Sequence, residues 1–237
     1  MSTVDSGGST DELCRTPLMA AVERGDEDEA FRLTSAGADI NTRDNKGVPV
    51  IIKAAEGGSV KMITILAIGQ DTPVELDARD TTGRNAVMAA AQHGNFKALV
   101  ALKGRGASLA EVDVNGNTAL HYAAGRTNGE LALEYLAQET DLLKAQNTDG
   151  QTPLMTAVRS KNPENVRELV RLGADVSIRD NNGRSAADAA SEETRGKFRD
   201  QMLRLLGAEP PLAVTMAEPA VTTVKPKAAA GLPKIKL

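Results

Sequence analysis

The chain has 237 residues, of which 41% are hydrophobic, 25% charged and only 2% aromatic, with no Trp. This is the composition of a globular chain whose core is filled by small aliphatics, which disfavours a sandwich built on a buried Trp and nucleic-acid modules that stack bases on aromatic platforms. A lone Cys14 excludes an internal disulfide framework, no apolar run is long enough to span a bilayer, and a charge of −6 on residues 11–209, within a total of −4, opposes phosphate backbones.

Residues 1–10, MSTVDSGGST, have neither the basic start nor the apolar stretch of a secretory signal. They are expected to be a flexible N-terminus, and the expected compartment is the cytoplasm. From there a repeat sets in. Gly47, Gly83, Gly116, Gly150 and Gly183 are spaced by 36, 33, 34 and 33 residues, and 33 residues before Gly47 stands Cys14. Three residues before these six positions lie Asp11, Asp44, Asp80, Asp113, Asn147 and Asp180, and seven after them lie Ala21, Ala54, Ala90, Ala123, Ala157 and Ala190. The Asx residue and the glycine predict a tight reversal, as in Asp113-Val114-Asn115-Gly116. Thr16-Pro17-Leu18 and Thr152-Pro153-Leu154 then predict a helix with Thr as N-cap and Pro in the first turn, and the alanine marks a face where helices approach closely. A second helix with apolar residues at helical spacing, such as Val166, Leu169 and Val170, is predicted to stop at Gly37, Gly106 and Gly173.

On these residues the chain resembles the ankyrin repeat family. The stretch from Asn147 to Asp175, with Gly150-Gln151-Thr152-Pro153-Leu154-Met155, Ala157 and Gly173-Ala174-Asp175, carries the family pattern most fully. The resemblance implies an all-α solenoid of stacked helix-turn-helix units with short β-hairpin or turn fingers. Its expected units are 11–43, 44–79, 80–112, 113–146, 147–179 and 180–209. Pro49-Val50-Ile51 and Asn85-Ala86-Val87 depart from Thr-Pro-Leu and predict weaker helix starts, and three extra residues in the second unit predict a protruding loop at 69–75. End units need polar outer faces: Asp26-Glu27-Asp28-Glu29 in the first and Asp188, Glu192, Glu193 and Arg195 in the sixth fit that role. Residues 210–237 hold five of the ten prolines and a charge of +3, and read as a disordered tail.

The sequence offers no convergent groups for catalysis. The only histidines are His93 and His121, no serine sits in a nucleophile elbow, Gly196-Lys197-Phe198 lacks the context of a phosphate loop, Gly104-Arg105-Gly106 lacks that of a dinucleotide fingerprint, and Asp113-Val114-Asn115-Gly116 is too short for a calcium loop. No catalytic residue, metal site or cofactor is expected. Cys14 reads as a small residue in a turn, and the resemblance gives His121 hydrogen bonds between neighbouring repeats.

The resemblance implies a non-catalytic protein-interaction module, an adaptor, scaffold or inhibitor, that meets a protein partner through its concave groove and fingers. Carried over position by position, the contact residues are Asn45, Lys46, Val48 and Glu56; Thr81, Thr82, Arg84, Gln92 and His93; Val114, Asn115, Asn117 and Arg126; Thr148, Asp149, Gln151, Arg159 and Ser160; and Asn181, Asn182 and Arg184. Arg84, Arg126 and Arg159 are the expected anchors, since tight interfaces favour Arg. The alternative is a structural subunit of a larger assembly docked through its basic tail. Neither nucleic acid nor membrane insertion is expected, and the chain by itself is expected to be a monomer.

Overall fold

A computed structural model describes residues 16–68, 73–127 and 129–208. The expectations for 1–10, Cys14, 210–237 and most of the loop at 69–75 fall outside these segments. Among the described residues there are helices and turns but no strands; the one β-bridge joins Arg43 to Pro49, so the fingers are tight turns.

The helices alternate between two layers. The inner layer contains α1 (Pro17–Arg24), α3 (Val50–Gly57), α5 (Ala86–His93), α7 (Ala119–Ala124), α10 (Pro153–Arg159) and α12 (Ala186–Glu193). The outer layer contains α2 (Glu27–Ser35), α4 (Val60–Ala67), α6 (Phe96–Gly104), α8 (Glu130–Ala137), α11 (Pro163–Arg171) and α13 (Gly196–Leu205). Each inner helix packs on the inner helices before and after it, and each outer helix does the same in its own layer. The fold is therefore an all-α solenoid.

The sequence rule behind each pair is local. Thr16, Asn85 and Thr152 accept a hydrogen bond from the backbone N–H three residues on, and Ser185 and Asp188 form a reciprocal capping box. Asn85 thus caps α5 without the Thr-Pro-Leu pattern, whereas α3 begins at Pro49 with no side-chain cap. Asp26 caps α2 through Glu29 N, with Glu27, Asp28 and Glu29 at the positive end of the helix dipole. Gly37, Gly106 and Gly173 lie just past outer-helix ends at φ 86°, 97° and 93°, where a following alanine N–H reaches back to Leu33, Leu102 and Leu169 O.

The six register alanines are all buried, at 2% exposure or less. With Ala86, Ala89, Ala91, Ala119 and Ala124 they let backbones pack closely, and Leu, Ile and Met fill the space between layers. This is why the core needs no rings. Phe96 and Tyr135 instead meet edge-to-face in the outer layer, centroids 5.6 Å apart, under the Lys103 ammonium, and Phe31 is 62% exposed.

The fourth unit departs from the others. Its inner helix has only six residues, and α9 (Thr140–Lys144), an extra short helix, follows α8 and is anchored by the buried Leu142 and Leu143. No glycine closes α8, so the chain reaches the next finger through this added turn.

Candidate functional site

Five successive turns are built alike. The side-chain Oδ1 of Asp44, Asp80, Asp113, Asn147 and Asp180 accepts the N–H groups two and four residues on, at 2.8–3.1 Å. The carbonyl of the same residue accepts the turn glycine N–H, and each glycine has φ between 74° and 78°. A carboxylate or amide acceptor is therefore required at one end of the turn and a left-handed residue at the other. Space enforces glycine as well: a Cβ on Gly150 would lie 2.6 Å from Asn181 N of the next finger.

The finger tips are tied to each other by main chain. Val114 N donates to Thr82 O (3.1 Å), Thr148 N to Asn115 O (2.8 Å) and Asn181 N to Asp149 O (3.0 Å). Behind them runs a set of clamps absent from the sequence reading. Arg43 Nη1 spans Gly47 O and Arg79 O, Arg79 Nη1 spans Gly83 O and Val112 O, and Gln146 Nε2 spans Gly150 O and Arg179 O. The signal was available as a long donor one residue before the Asx position. Val112 holds that position in the fourth unit and is 42% exposed.

The expected contact residues sort by burial. Asn45, Lys46, Thr81, Thr82, Val114, Asn115, Thr148, Asp149, Asn181 and Asn182 are exposed on the tips, and His93, Arg126, Arg159 and Ser160 are exposed at inner-helix ends. Val48, Glu56, Gln92, Asn117 and Arg184 are half-buried, and Gln151 is buried at 9% exposure. His93 donates from Nδ1 to Ala89 O at 2.9 Å.

Arg84, one of the three expected anchors, is committed within the scaffold. Its Nε meets Asp80 Oδ2 at 3.2 Å, its Nη2 meets Glu56 Oε1 at 2.8 Å, and its Nη1 donates to Gln92 Oε1; the side chain is 18% exposed. Arg184 repeats the pattern with Asp180 and Glu192. Arg126 differs: its Nη1 donates to the main-chain Gln92 O at 2.9 Å.

Two buried polar centres stiffen the fourth unit. His121 Nε2 lies 2.9 Å from Gln151 O, so Nε2 carries the proton and Nδ1 accepts from Thr118 N–H and Oγ1. Burial lowers the His121 pKa, against a smaller raising effect of Gln151 O, and the ring is a neutral bridge between units. Tyr122 donates from its hydroxyl to Asp113 Oδ2 at 2.7 Å, and burial together with that carboxylate pushes the phenol pKa up. Burial works to raise Asp113, but hydrogen bonds from Tyr122, Asn117 and Asn115 outweigh it and hold Asp113 below the usual carboxylate range.

Above these groups, on the inner layer between α5, α7 and α10, is an open cleft of about 520 Å³ lined by Gln92, Asn117, His121, Tyr122, Gly125, Arg126, Thr127 and Thr156. Tyr122 and Thr156 were not among the expected contacts. They line it where α7 ends two residues earlier in the register than α3 and α5. Among the described residues no three His, Cys, Asp or Glu side chains cluster as metal ligands, and no helix is long and apolar enough to cross a membrane.

Repeated turn, inner helix and outer helix in a two-layer stack define a helical repeat protein. The family model described as ankyrin repeats (3 copies) matches residues 18–111, 51–144, 100–180 and 125–209, so the chain belongs to the ankyrin repeat family. It is 31% identical over 166 residues to rabankyrin-5 of Mus musculus, covering 69% of this chain and 14% of that protein. It is 28% identical over 168 residues to the nuclear factor NF-kappa-B p105 subunit of Gallus gallus, covering 70% of this chain and 17% of that one. The chain thus spans less than a fifth of the length of these curated relatives.

Two solved structures share the fold. The ankyrin repeat domain of Bcl-3, a member of the IkappaB protein family, superposes with a TM-score of 0.69 at 25% identity, covering 84% of this chain and 89% of that one. A chain in the complex of the Bd0816 predatory endopeptidase of Bdellovibrio bacteriovorus with immunity protein Bd3460 gives 0.68 at 22% identity, covering 83% of this chain and 99% of that one. Ankyrin repeat domains are protein-interaction modules, generally without catalysis of their own.

Proposed function

We propose that this protein binds a protein partner along its concave face and acts as an adaptor, scaffold or inhibitor without chemistry of its own. The observation that carries this reading is the row of exposed tip residues fixed by backbone hydrogen bonds from finger to finger, from Thr82 to Asn181. A surface held in place before binding loses little conformational entropy on association. The helix pairs support the division into units 44–79, 80–112, 113–146, 147–179 and 180–209, with 11–43 as the first, so that contacts recur once per unit.

Arg126 and Arg159 are the anchors this reading favours, because both are exposed at inner-helix ends, whereas Arg84 is half-buried. The test is affinity capture from the source cell with the wild type and with Arg126→Glu and Arg159→Glu, after circular dichroism shows both variants folded. The groove reading expects the captured partner to be lost or much reduced in both; a partner retained at wild-type level by both variants overturns it.

A further inference from the structure

We propose that the cleft between α5, α7 and α10 is a subsite for one carboxylate of an acidic peptide segment lying along the concave face. This rests on the groove reading above and gives its occupant a chemistry.

The cleft exists because one side chain is missing from a register. Nine residues after each turn glycine, the inner-helix ends carry Glu56, Gln92, Gly125, Arg159 and Glu192. Four of the five are long and polar; the central one is glycine. Backbone geometry does not demand it, since Gly125 has φ −76° and ψ −8°, a helical conformation open to any residue. What glycine provides is room. A Cβ at Gly125 would stand 3.3 Å from Ser160 Oγ and 3.6 Å from Cγ2 of Thr156, which lines the cleft.

The lining sets the sign of the ligand. No Asp or Glu lines the cleft, and its one ionised group is Arg126, because burial outweighs the Gln151 O contact and keeps His121 neutral. Asp113, bonded by the lining residues Tyr122 and Asn117, has both oxygens occupied by their donors and by Asn115 N. Arg126 uses Nη1 on a carbonyl oxygen, and among the described residues no ion pair joins it to a carboxylate, so a guanidinium edge remains that matches a carboxylate. Gln92 accepts from Arg84 at Oε1, which leaves its amide N–H groups to offer. Exposed Lys161 stands at the next inner-helix end and adds to the positive potential. The open mouth of the cleft suits a side chain presented by a chain along the groove better than an enclosed small molecule.

The test starts from a random dodecapeptide library displayed against the immobilised full chain, followed by synthetic peptides in fluorescence anisotropy. Selected peptides are expected to carry Asp or Glu at one fixed position. Exchanging that residue for Gln or Asn should weaken binding by about tenfold on the wild type and by less than about twofold on Arg126→Gln, because the charge it meets is then gone. Gly125→Gln, which restores the long polar side chain of the register, should weaken the acidic peptide while circular dichroism shows the variant folded. Peptides with free and amidated ends separate a terminal carboxylate from a side-chain one; either source fits the proposal. Equal binding of the acidic and amide peptides to the wild type overturns it, as does undiminished discrimination by Arg126→Gln. Peptides that lose affinity on Asn115→Arg or Asp149→Arg but show no carboxylate preference overturn the subsite and leave the groove reading standing. Peptides indifferent to fingers and cleft alike overturn both.

Discussion

The short helix α7 ends without a left-handed glycine cap, and its C-terminal carbonyls are closed from the next unit. Asn165 Nδ2 of α11 lies 3.2 Å from Ala123 O, 3.0 Å from Ala124 O and 2.6 Å from Arg126 O, and Asn165 is 1% exposed. Asn162 Nδ2 adds a second donor to Arg126 O at 2.7 Å, and Arg126 N already bonds Ala123 O. Asn165→Ala therefore removes the bond that Ala124 O has among the described residues and leaves a small void, whereas Ala123 O and Arg126 O keep partners. One orphaned buried carbonyl costs about 1–3 kcal/mol, and with the void the expected loss is about 2–3 kcal/mol. Urea unfolding followed by circular dichroism should show a lower midpoint with an unchanged slope, and the melting temperature should fall by about 5–10 °C. Asn165→Asp is isosteric but turns a donor into a buried anion facing carbonyl oxygens at the negative end of a helix. It should cost more than the alanine variant at pH 7. Its folded-state pKa is then raised, so the deficit shrinks as the pH falls and the protonated acid donates again. A loss below about 0.5 kcal/mol for Asn165→Ala, or an aspartate milder than the alanine at pH 7, would refute the reasoning.

Three other outcomes are expected. Lys161 is the sole non-glycine residue with positive φ (55°) among the described residues and occupies the slot held by Gly25, Gly58 and Gly94 in earlier units; Lys161→Gly should raise stability by about 1 kcal/mol in urea titrations. Asn85 is 1% exposed with its Nδ2 unpartnered, so Asn85→Thr, which keeps an acceptor for Met88 N, should raise the urea midpoint by the equivalent of about 1 kcal/mol, and a destabilised variant would show that the amide is held by a group other than those described. The His121 pKa is lowered from 6.5 in the folded state, so its contribution is intact above pH 6.5 and is lost as the pH falls below that; urea midpoints at pH 7.5 and 5.5 should differ by at most about 1.4 kcal/mol from this residue, and the difference should vanish in His121→Gln.

The scaffold was legible because its determinants are local. An Asx acceptor, a left-handed glycine and a close-packed alanine each act within one unit, and their recurrence gives the period directly. The departures depend on what the stack brings together. Arg84 read as an anchor because the sequence places it beside a finger, but Glu56, 28 residues earlier, and Gln92 reach it only once α3 and α5 are neighbours. Helix α9 was not foreseen because Leu142 and Leu143 continue an ordinary apolar pattern, and only the missing terminal glycine of α8 hinted at a different ending. The cleft was legible in principle: Gly125 interrupts a register of long polar residues, but a glycine reads as a left-handed helix cap until its φ of −76° shows otherwise. Tyr122 enters that cleft through the same interruption.

The overall charge and the centre of the groove point in opposite directions, and distance decides between them. A body of −6 repels an acidic segment at long range, but at physiological ionic strength fields between exposed charges fade beyond about 8 Å. Inside the cleft the segment meets Arg126 at contact, in a site without carboxylates, where screening is weaker. Much of the negative charge is also already paired across the solenoid, Glu27 with Lys61 at 3.0 Å, Glu139 with Lys103 at 2.6 Å and Glu134 with Arg171 at 2.7 Å. Long-range repulsion then acts mainly on the rate of encounter, and the local guanidinium acts on the lifetime of the complex. Net charge therefore opposes a nucleic-acid partner more strongly than it opposes an acidic peptide. A phosphate backbone presents its charges along its whole length to the −6 body, whereas a peptide has to place only one carboxylate, at the gap left by Gly125.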